Sequence, residues 1–246
     1  MPVEFIADLH IHSCLSPCAE LSMTPRGIVE KAASIGINIL AVCDHNSVEN
    51  VEVTRDLARK KGINVVPGLE INSSEEAHIL GLFRDLESAF KMQEIVYENL
   101  QPGENDEDRF GMQVVVNEID EVLGFNKRLL IGSTNLTVNK LVESIQGLGG
   151  VAIASHIDRE GFGIIGQLGF IPPDIKFDAL EISYRIKHSE ALIKFDEYRH
   201  IPFVSSSDAH RIEDIGRSTT RFLMNHSTFE EMGLALKGID GRRVRF

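Results

Sequence analysis

The chain has 246 residues, of which 43% are hydrophobic and 25% are charged, and its formal net charge is −12. This length fits one α/β barrel or two small domains. The acidic balance predicts that long nucleic acids and acidic membrane surfaces are repelled. It does not exclude a small phosphorylated substrate, because bound cations can make the local potential positive. Three cysteines, the lack of a signal peptide and the lack of an apolar run near ~20 residues predict a cytoplasmic protein with no membrane span.

The first part of the chain alternates short apolar strands with helices. A strand that starts at Val3 leads into residues 8–13, Asp-Leu-His-Ile-His-Ser, and a helix begins at Pro25 with Thr24 as its N-cap. Later elements in this part are a strand over 37–42, a polar helix over 48–61 and a strand over 63–66. The order strand, helix, strand, helix, strand predicts a parallel sheet.

The spacing of the next strand predicts a change of direction. Residues 79–83 are apolar, and only about seven residues separate them from Glu70, whereas a parallel crossover needs about a dozen or more. We therefore expect this strand to run antiparallel to the one before it. His78, at its start, then lies beside Glu70.

The rest of the chain continues the alternation around one irregular stretch. After a helix over 86–100, the polar, turn-rich residues 101–135 predict an insertion or lid with a small hairpin from 113–116 and 121–125. The remaining predicted helices cover 137–148, 162–170, 189–198 and 229–237, and the remaining strands cover 151–154, 179–182, 202–204, 220–224 and 244–246. With no repeat or linker, residues 1–246 are expected to form a single domain.

Residues able to bind metal are concentrated at the ends of these strands. They comprise six of the nine histidines and two carboxylates: His10, His12, His45, His78, His156, His210, Glu70 and Asp208. One such histidine alone is more often structural, but loops after barrel strands build a common site, so the set is expected to meet at one mouth. It has no cysteine pair, which argues against a structural zinc site, and it exceeds the needs of one ion, which predicts two or three divalent ions (Zn, Mn or Fe).

A cluster of this kind favours hydrolysis. It lowers the pKa of bound water from about 15.7 to about 7, which supplies a hydroxide nucleophile, and its positive charge holds phosphoryl oxygens. We assign no separate catalytic side chain. Arg159 and Arg185 follow strand ends and are candidates for binding a substrate phosphate, with a structural salt bridge as the alternative for each.

Six motifs resemble the PHP (polymerase and histidinol phosphatase) family and run in the family's order: residues 8–13, 44–46, 68–71, 78–81, 155–158 and 206–210. The resemblance implies a distorted (β/α)7 barrel with a site for three ions. It places His10, His12, Glu70 and Asp208 on one ion, Glu70, His78 and His156 on a second, and His45 and His210 on a third.

One position departs from the family pattern. Many members carry Asp or His shortly after the first motif, and this chain has Cys18 and Glu20 there. Either is open as the substitute ligand, and a free buried cysteine is the alternative for Cys18. We expect Asp8, Asp44 and Asp158 to orient metal-bound imidazoles, with proton donation as the alternative for Asp158. His188, His200 and His226 are expected at the surface.

The leading functional hypothesis is a metal-dependent phosphoesterase acting on a small phosphorylated metabolite or a nucleotide. The acidic charge and the lack of a basic strip with aromatic residues argue against long nucleic acid. A hydrolase of C–N bonds with the same ions is one alternative. A non-catalytic regulatory module that binds metal is another, and only the departure near Cys18 favours it. Nothing in the sequence specifies an oligomeric state.

Overall fold

The computed structural model describes residues 1–245, so Phe246, the last residue of the final predicted strand, lies outside the described residues. The strands are β1 (Val3–Ile11), β2 (Ile39–Val42), β3 (Asn64–Val65), β4 (Gly68–Asn72), β5 (His78–Leu82), β6 (Val114–Val116), β7 (Val122–Phe125), β8 (Val151–Ala154), β9 (Ala179–Ile182), β10 (Phe203–Ser205), β11 (Thr220–Met224) and β12 (Arg243–Arg245). The α-helices are α1 (Pro25–Ser34), α2 (Val51–Arg59), α3 (Leu86–Asn99), α4 (Glu107–Phe110), α5 (Val138–Gly147), α6 (Ile164–Leu168), α7 (His188–Lys194) and α8 (Phe229–Leu236). Among residues 1–245, no helix has both the length and the hydropathy that crossing a membrane requires.

Two five-stranded mixed sheets carry the fold, which confirms the predicted α/β class. Their strand orders are β12-β11-β1-β2-β3 and β10-β9-β8-β5-β4. Isolated parallel bridges between Ile11 and Ala209 and between His45 and Glu70 join the two sheets. Because these seams are single bridges and not ladders, the described strands do not show the closed barrel that the family resemblance implies.

The antiparallel step predicted around Glu70 is confirmed. In the β4–β5 ladder Glu70 lies opposite Leu80, and Asn72 lies opposite His78. The sequence missed β4 itself, because β3 stops before Pro67 and a new strand begins at Gly68. Glu70 therefore lies inside a strand, not after one. A Cβ atom at Gly68 would lie 2.9 Å from Cys43 Sγ, so glycine permits this close approach.

An apolar layer lies between the sheets and forms the floor beneath the strand ends. It combines inward residues of the strands, such as Leu9, Ile153 and Phe222, with Met232 and Leu236 of α8. Helices α1, α2, α3, α5, α6 and α7 contribute apolar residues to a second buried cluster. Hydrocarbon fills the interior between the sheets, so the loops at the strand ends are where this fold can bring charged side chains together.

The segment 101–135 packs closely against the strand-end loops. It contains α4 and the predicted hairpin, which is confirmed as the antiparallel pair β6–β7. The backbone N of Val114 donates to Cys14 O over 2.9 Å, and Asn46 Nδ2 donates to the carbonyls of Leu130 and Gly132 over 2.8 Å each. These bonds fix the segment beside the loops that follow β1 and β2.

Candidate metal centre

A register shift in β1 aims two of the predicted histidines. The pairing of β1 with β2 shifts between Asp8 and Ile11, and Nε2 of His10 lies 3.1 Å from Nε2 of His12. Asp8 does not join them, because its carboxylate accepts from the backbone N of Ser207 and of Gly216, 2.9 Å each. An extra residue in a strand breaks the two-residue alternation, so Asp8 does not point with the two histidines, and it bonds backbone nitrogens where an imidazole was expected.

Loops after the other strands deliver the remaining side chains. His45 follows β2, His156 follows β8, and Asp208 and His210 follow β10, while His78 begins β5. The backbone φ is positive at His156 (29°) and at Asp208 (49°). Such conformations cost roughly 1–3 kcal/mol each for residues other than glycine, and they are concentrated at functional sites. The structure thus brings together all eight side chains that the sequence predicts for one mouth.

Glu70 lies at the middle of this cluster and faces five imidazoles. Its Oε1 lies 2.9 Å from His78 Nδ1, 3.2 Å from His156 Nε2 and 3.4 Å from His10 Nε2. Its Oε2 lies 3.2 Å from His45 Nδ1 and 3.4 Å from His12 Nε2. Burial raises the pKa of this carboxyl, but His78 and His10 outweigh burial and leave the pKa well below its usual range.

Hydrogen bonds behind the cluster fix which nitrogen of each histidine faces inward. His10 Nδ1 donates to Glu181 Oε2 over 3.0 Å, and His12 Nδ1 donates to Ser16 Oγ over 2.9 Å. Ser16 accepts this bond because its own hydroxyl donates to Asp44 Oδ1 over 2.6 Å. The Nε2 lone pairs of both histidines therefore face each other, an arrangement that needs a cation between them.

The surrounding charges shift the pKa values of His10 and His12 in opposite directions. Burial lowers the pKa of His10, but the carboxylates of Glu181, Glu70 and Asp208 outweigh it and raise the pKa well above its usual range. Burial and His210 lower the pKa of His12 to about 4, so His12 stays neutral at pH 7, as a metal ligand must. The site accordingly favours a cation beside a neutral imidazole.

The donor spacing fits a divalent ion. Bonds of about 2.0–2.1 Å in a tetrahedron place neighbouring donors about 3.3–3.4 Å apart. The carboxylate of Asp208 lies 3.6 Å from His10 Nε2 and 3.4 Å from His12 Nε2. In three groups of residues, each residue offers one donor atom, and the donor atoms of a group all lie within 4.8 Å of one another. The groups are His10, His12 and Asp208; His45, Glu70 and His78; and His12, Cys18, His45 and His210.

These groups only partly follow the assignment that the family resemblance implies. His45 belongs to two groups, and Cys18 lies with His12, His45 and His210. Cys18 is exposed, so the alternative of a buried free thiol is wrong. Glu20 instead pairs with Arg211 over 3.1 Å.

The sequence missed the outer partners of the histidines. Glu181, which holds His10, is a charged residue inside the short buried strand β9, and that interruption of an apolar run was an available signal. Asp158, expected to orient an imidazole, instead accepts from Ser183 N over 2.7 Å and from Ser183 Oγ over 2.6 Å. Asp44 acts on His12 only through Ser16.

The two candidate phosphate-binding arginines lie at different distances from the cluster. Arg159 Nη1 lies 2.5 Å from Asp208 Oδ2, so Arg159 belongs to the cluster edge. Arg185 is exposed and lies beside Tyr184, farther out on the rim.

The comparisons with known proteins agree with this geometry. A model of the PHP domain matches residues 8–195, and a second model, PHP-associated, matches residues 191–237. A 5'-3' exoribonuclease of Haemophilus influenzae is 35% identical over 78 residues, which are 30% of this chain and 27% of that protein. A phosphoribosyl 1,2-cyclic phosphate 1,2-diphosphodiesterase of Eggerthella lenta is 33% identical over 82 residues, which are 31% of this chain and 30% of that protein.

A solved structure extends the likeness to the whole fold. The lesion-specific endonuclease PfuEndoQ of Pyrococcus furiosus superposes with a TM-score of 0.77 at 22% identity, covering 98% of this chain and 58% of that one. The chain thus spans little more than half of this neighbour and less than a third of the two curated relatives above.

The expectation that an acidic chain excludes long nucleic acid is wrong, because these similar proteins include an exoribonuclease and an endonuclease. The reason is physical: net charge is a sum over the whole surface and does not set the potential at one mouth. Here Arg159 lies at the cluster edge, and divalent ions held by the histidines would add local positive charge.

Proposed function

The chain belongs to the PHP family, and from this membership and the geometry of the cluster we propose that it is a metal-dependent phosphoesterase that hydrolyses phosphodiester bonds of nucleotides or nucleic acids. The observation that carries the proposal is the position of Glu70, whose two carboxylate oxygens face different sets of imidazole nitrogens at 2.9–3.4 Å. A carboxylate in this position is suited to bridging two ions.

Each residue of the cluster has a defined task in this proposal. His10, His12 and Asp208 would hold one ion, His45, His78 and His156 would hold a second, and Glu70 would contribute to both. When bound, the ions activate water and neutralise the charge of the phosphoryl group. Arg159, which bonds Asp208 through Nη1, is placed to turn its other nitrogens toward a phosphate oxygen. Glu181 and Ser16 keep His10 and His12 in the tautomers that ligation needs.

The proposal includes a single domain and a distorted barrel. Residues 1–246 form a single domain, and seven strands (β1, β2, β4, β5, β8, β9 and β10) form a distorted barrel. Support comes from the parallel bridges Ile11–Ala209 and His45–Glu70, which connect the two sheets beside the site. The segment 101–135 forms a fixed wall at the His45 side, because Asn46 bonds two of its carbonyls.

Cys18 supplies a ligand for a further ion together with His12, His45 and His210. Thiolate favours softer ions such as Zn²⁺ over Mn²⁺. A complete third set of donors also removes the one feature that favours a non-catalytic module.

Cys18→Ser tests this ligand. We expect the Co²⁺-loaded variant to lose the near-ultraviolet cobalt–thiolate absorption band and to bind its weakest ion at least about 10- to 100-fold less tightly, since outer partners alone have effects of that size. Titration with Co²⁺ followed by absorption spectroscopy measures both. Cys14→Ala is the matched control, because Cys14 is buried and its Sγ bonds Val114 O. An unchanged band in Cys18→Ser would show that Cys18 is not a ligand.

The proposed activity is tested by removing and restoring metal. Protein stripped with a chelator is expected to cleave neither bis(p-nitrophenyl) phosphate nor a short oligonucleotide. Reloading with Zn²⁺, Mn²⁺ or Fe²⁺ is expected to restore cleavage in proportion to bound metal, measured by elemental analysis. If fully reloaded protein cleaves no phosphodiester, phosphomonoester or cyclic phosphate, the proposed function is wrong.

A further inference from the structure

We propose that the cavity beside the ion cluster is a subsite for a single-stranded nucleic acid, in which Phe162 stacks on a base and Arg185 and Lys194 bind the phosphate of the neighbouring nucleotide. This inference rests on the proposed function and names its substrate class. The cavity has a volume of about 560 Å³ and is lined by residues 158–162, Arg185, Ile186 and Lys194.

Phe162 is fixed at the border between the cluster and this cavity. Its ring stacks on the ring of His78, with centroids 4.6 Å apart and planes 19° apart, and its carbonyl accepts from His78 N over 2.8 Å. Its φ is 61°, a conformation that a bulky side chain rarely adopts. The residue is 41% exposed, so much of its ring surface is accessible from the cavity that it lines.

The loop around Phe162 has little freedom to move the ring. A Cβ atom at Gly163 would lie 2.5 Å from Arg159 O, and one at Gly166 would lie 2.2 Å from Glu160 O. Both glycines therefore allow a tight turn that any other residue would open. A rigid ring loses little entropy when a base stacks on it.

The cavity brings several cations together although the chain as a whole is acidic. Arg159, Arg185 and Lys194 line it together with two acids, Asp158 and Glu160. The carboxylate of Asp158 accepts hydrogen bonds from the backbone N and from Oγ of Ser183. Arg159 is turned toward Asp208 at the cluster, so Arg185 and Lys194 are the lining cations that remain for a ligand.

A second aromatic residue continues the same rim. Tyr184 is 42% exposed, and the guanidinium of Arg217 lies 3.5 Å from its ring centroid. Arg217 also donates through Nη2 to Asp208 O over 3.1 Å, so this pair is attached to the loop that carries a cluster residue. Aromatic rings interleaved with cations along a groove are the arrangement by which proteins bind single strands without reading their sequence.

The geometry favours a strand over a free mononucleotide. The ring of Phe162 lies against His78 of the cluster, and Arg185 and Lys194 line the same cavity. A phosphodiester at the cluster and a second phosphate near Arg185 require at least two linked nucleotides. Stacking of one base contributes about 1–3 kcal/mol, equivalent to about 5- to 150-fold in affinity.

Phe162→Leu tests the stacking contact. We expect the variant to bind a fluorescein-labelled single-stranded hexanucleotide about 5- to 150-fold more weakly than the wild type in fluorescence anisotropy on metal-free protein. Phe170→Leu is the matched control, because Phe170 is exposed (54%) and lies outside this cavity. Equal affinities for wild type and Phe162→Leu, or an equal loss in Phe170→Leu, would overturn the proposal.

Arg185→Ala and Lys194→Ala test the phosphate contacts and keep the proposal testable if Phe162→Leu does not fold. Each variant is expected to reduce the slope of log Kd against log salt concentration by about one unit or less. Lys127→Ala, which alters an exposed lysine of the hairpin segment, is the control and is expected to leave this slope unchanged. Competition by a mononucleotide as strong as by the hexanucleotide would refute binding of a strand.

The two proposals fail in different ways. If oligonucleotide binding depends on Phe162 but the protein cleaves no ester, the proposed subsite is supported and the proposed phosphoesterase activity is refuted. If the protein cleaves esters but its oligonucleotide binding does not depend on Phe162, Arg185 or Lys194, the phosphoesterase activity is supported and the subsite is refuted.

Discussion

Glu70→Ala is expected to remove metal and activity together. Its carboxylate faces the nitrogens of five histidines from a buried position, so its loss removes the group that two ions would share and the negative charge that offsets theirs. An ion of this kind contributes several kcal/mol to the transition state, so kcat/KM should fall by at least about 10³-fold. Elemental analysis and kinetics on the same preparation measure the two losses.

Glu181→Gln is the matched control for Glu70→Ala. Glu181 is an equally buried carboxylate, but it touches the cluster through His10 Nδ1 and the backbone of His156. Its amide variant should weaken metal binding by about 10- to 100-fold and keep activity at saturating metal. Full metal occupancy in Glu70→Ala would contradict the role of Glu70 as a shared ligand.

Asp208→Asn is expected to lower turnover sharply while the fold survives. The amide has the shape of the carboxylate, but it brings no negative charge to His10, His12 and Arg159. We expect kcat to fall by about 10²–10³-fold, the effect of removing part of one ion's hold on the reacting phosphoryl group. Asp214→Asn, which alters a nearby aspartate paired with Arg217 at 3.2 Å, is the control and should keep its turnover. Unchanged turnover in Asp208→Asn would remove Asp208 from the site.

The pH dependence of the metal-free fold gives a second measurement on Asp208. Burial raises the pKa of its carboxyl, but His10 and His12 outweigh burial and leave the pKa well below its usual range. A lowered pKa stabilises the fold at neutral pH, and that contribution is lost as pH falls below the unfolded value of about 3.9. In Asp208→Asn, thermal unfolding followed by circular dichroism should show a smaller loss of stability on acidification.

Much of the architecture followed from local patterns. The caps at Thr24 and Thr137 mark helix starts that the structure has at the next residue. The short spacing between Glu70 and His78 correctly predicted an antiparallel pair. Both succeed because caps and connection lengths are constraints between residues close in sequence.

Other features required coordinates because they join distant parts of the chain. The register shift that separates Asp8 from His10 arises from pairing with β2, and the bond from His10 to Glu181 spans 171 residues. The basic rim with Phe162 and Tyr184 is assembled from two loops, so the sequence showed no basic aromatic strip at all.

Local patterns and motifs were enough to identify an α/β chain that resembles the PHP family, with six histidines and two carboxylates at or near strand ends. Only the folded structure shows which donors share a neighbour, that Cys18 lies with three histidines, and that three cations line a cavity beside the cluster. The physical reason is that ligand geometry and local potential depend on distances of a few ångströms between residues far apart in the chain, whereas composition and periodicity record only neighbours.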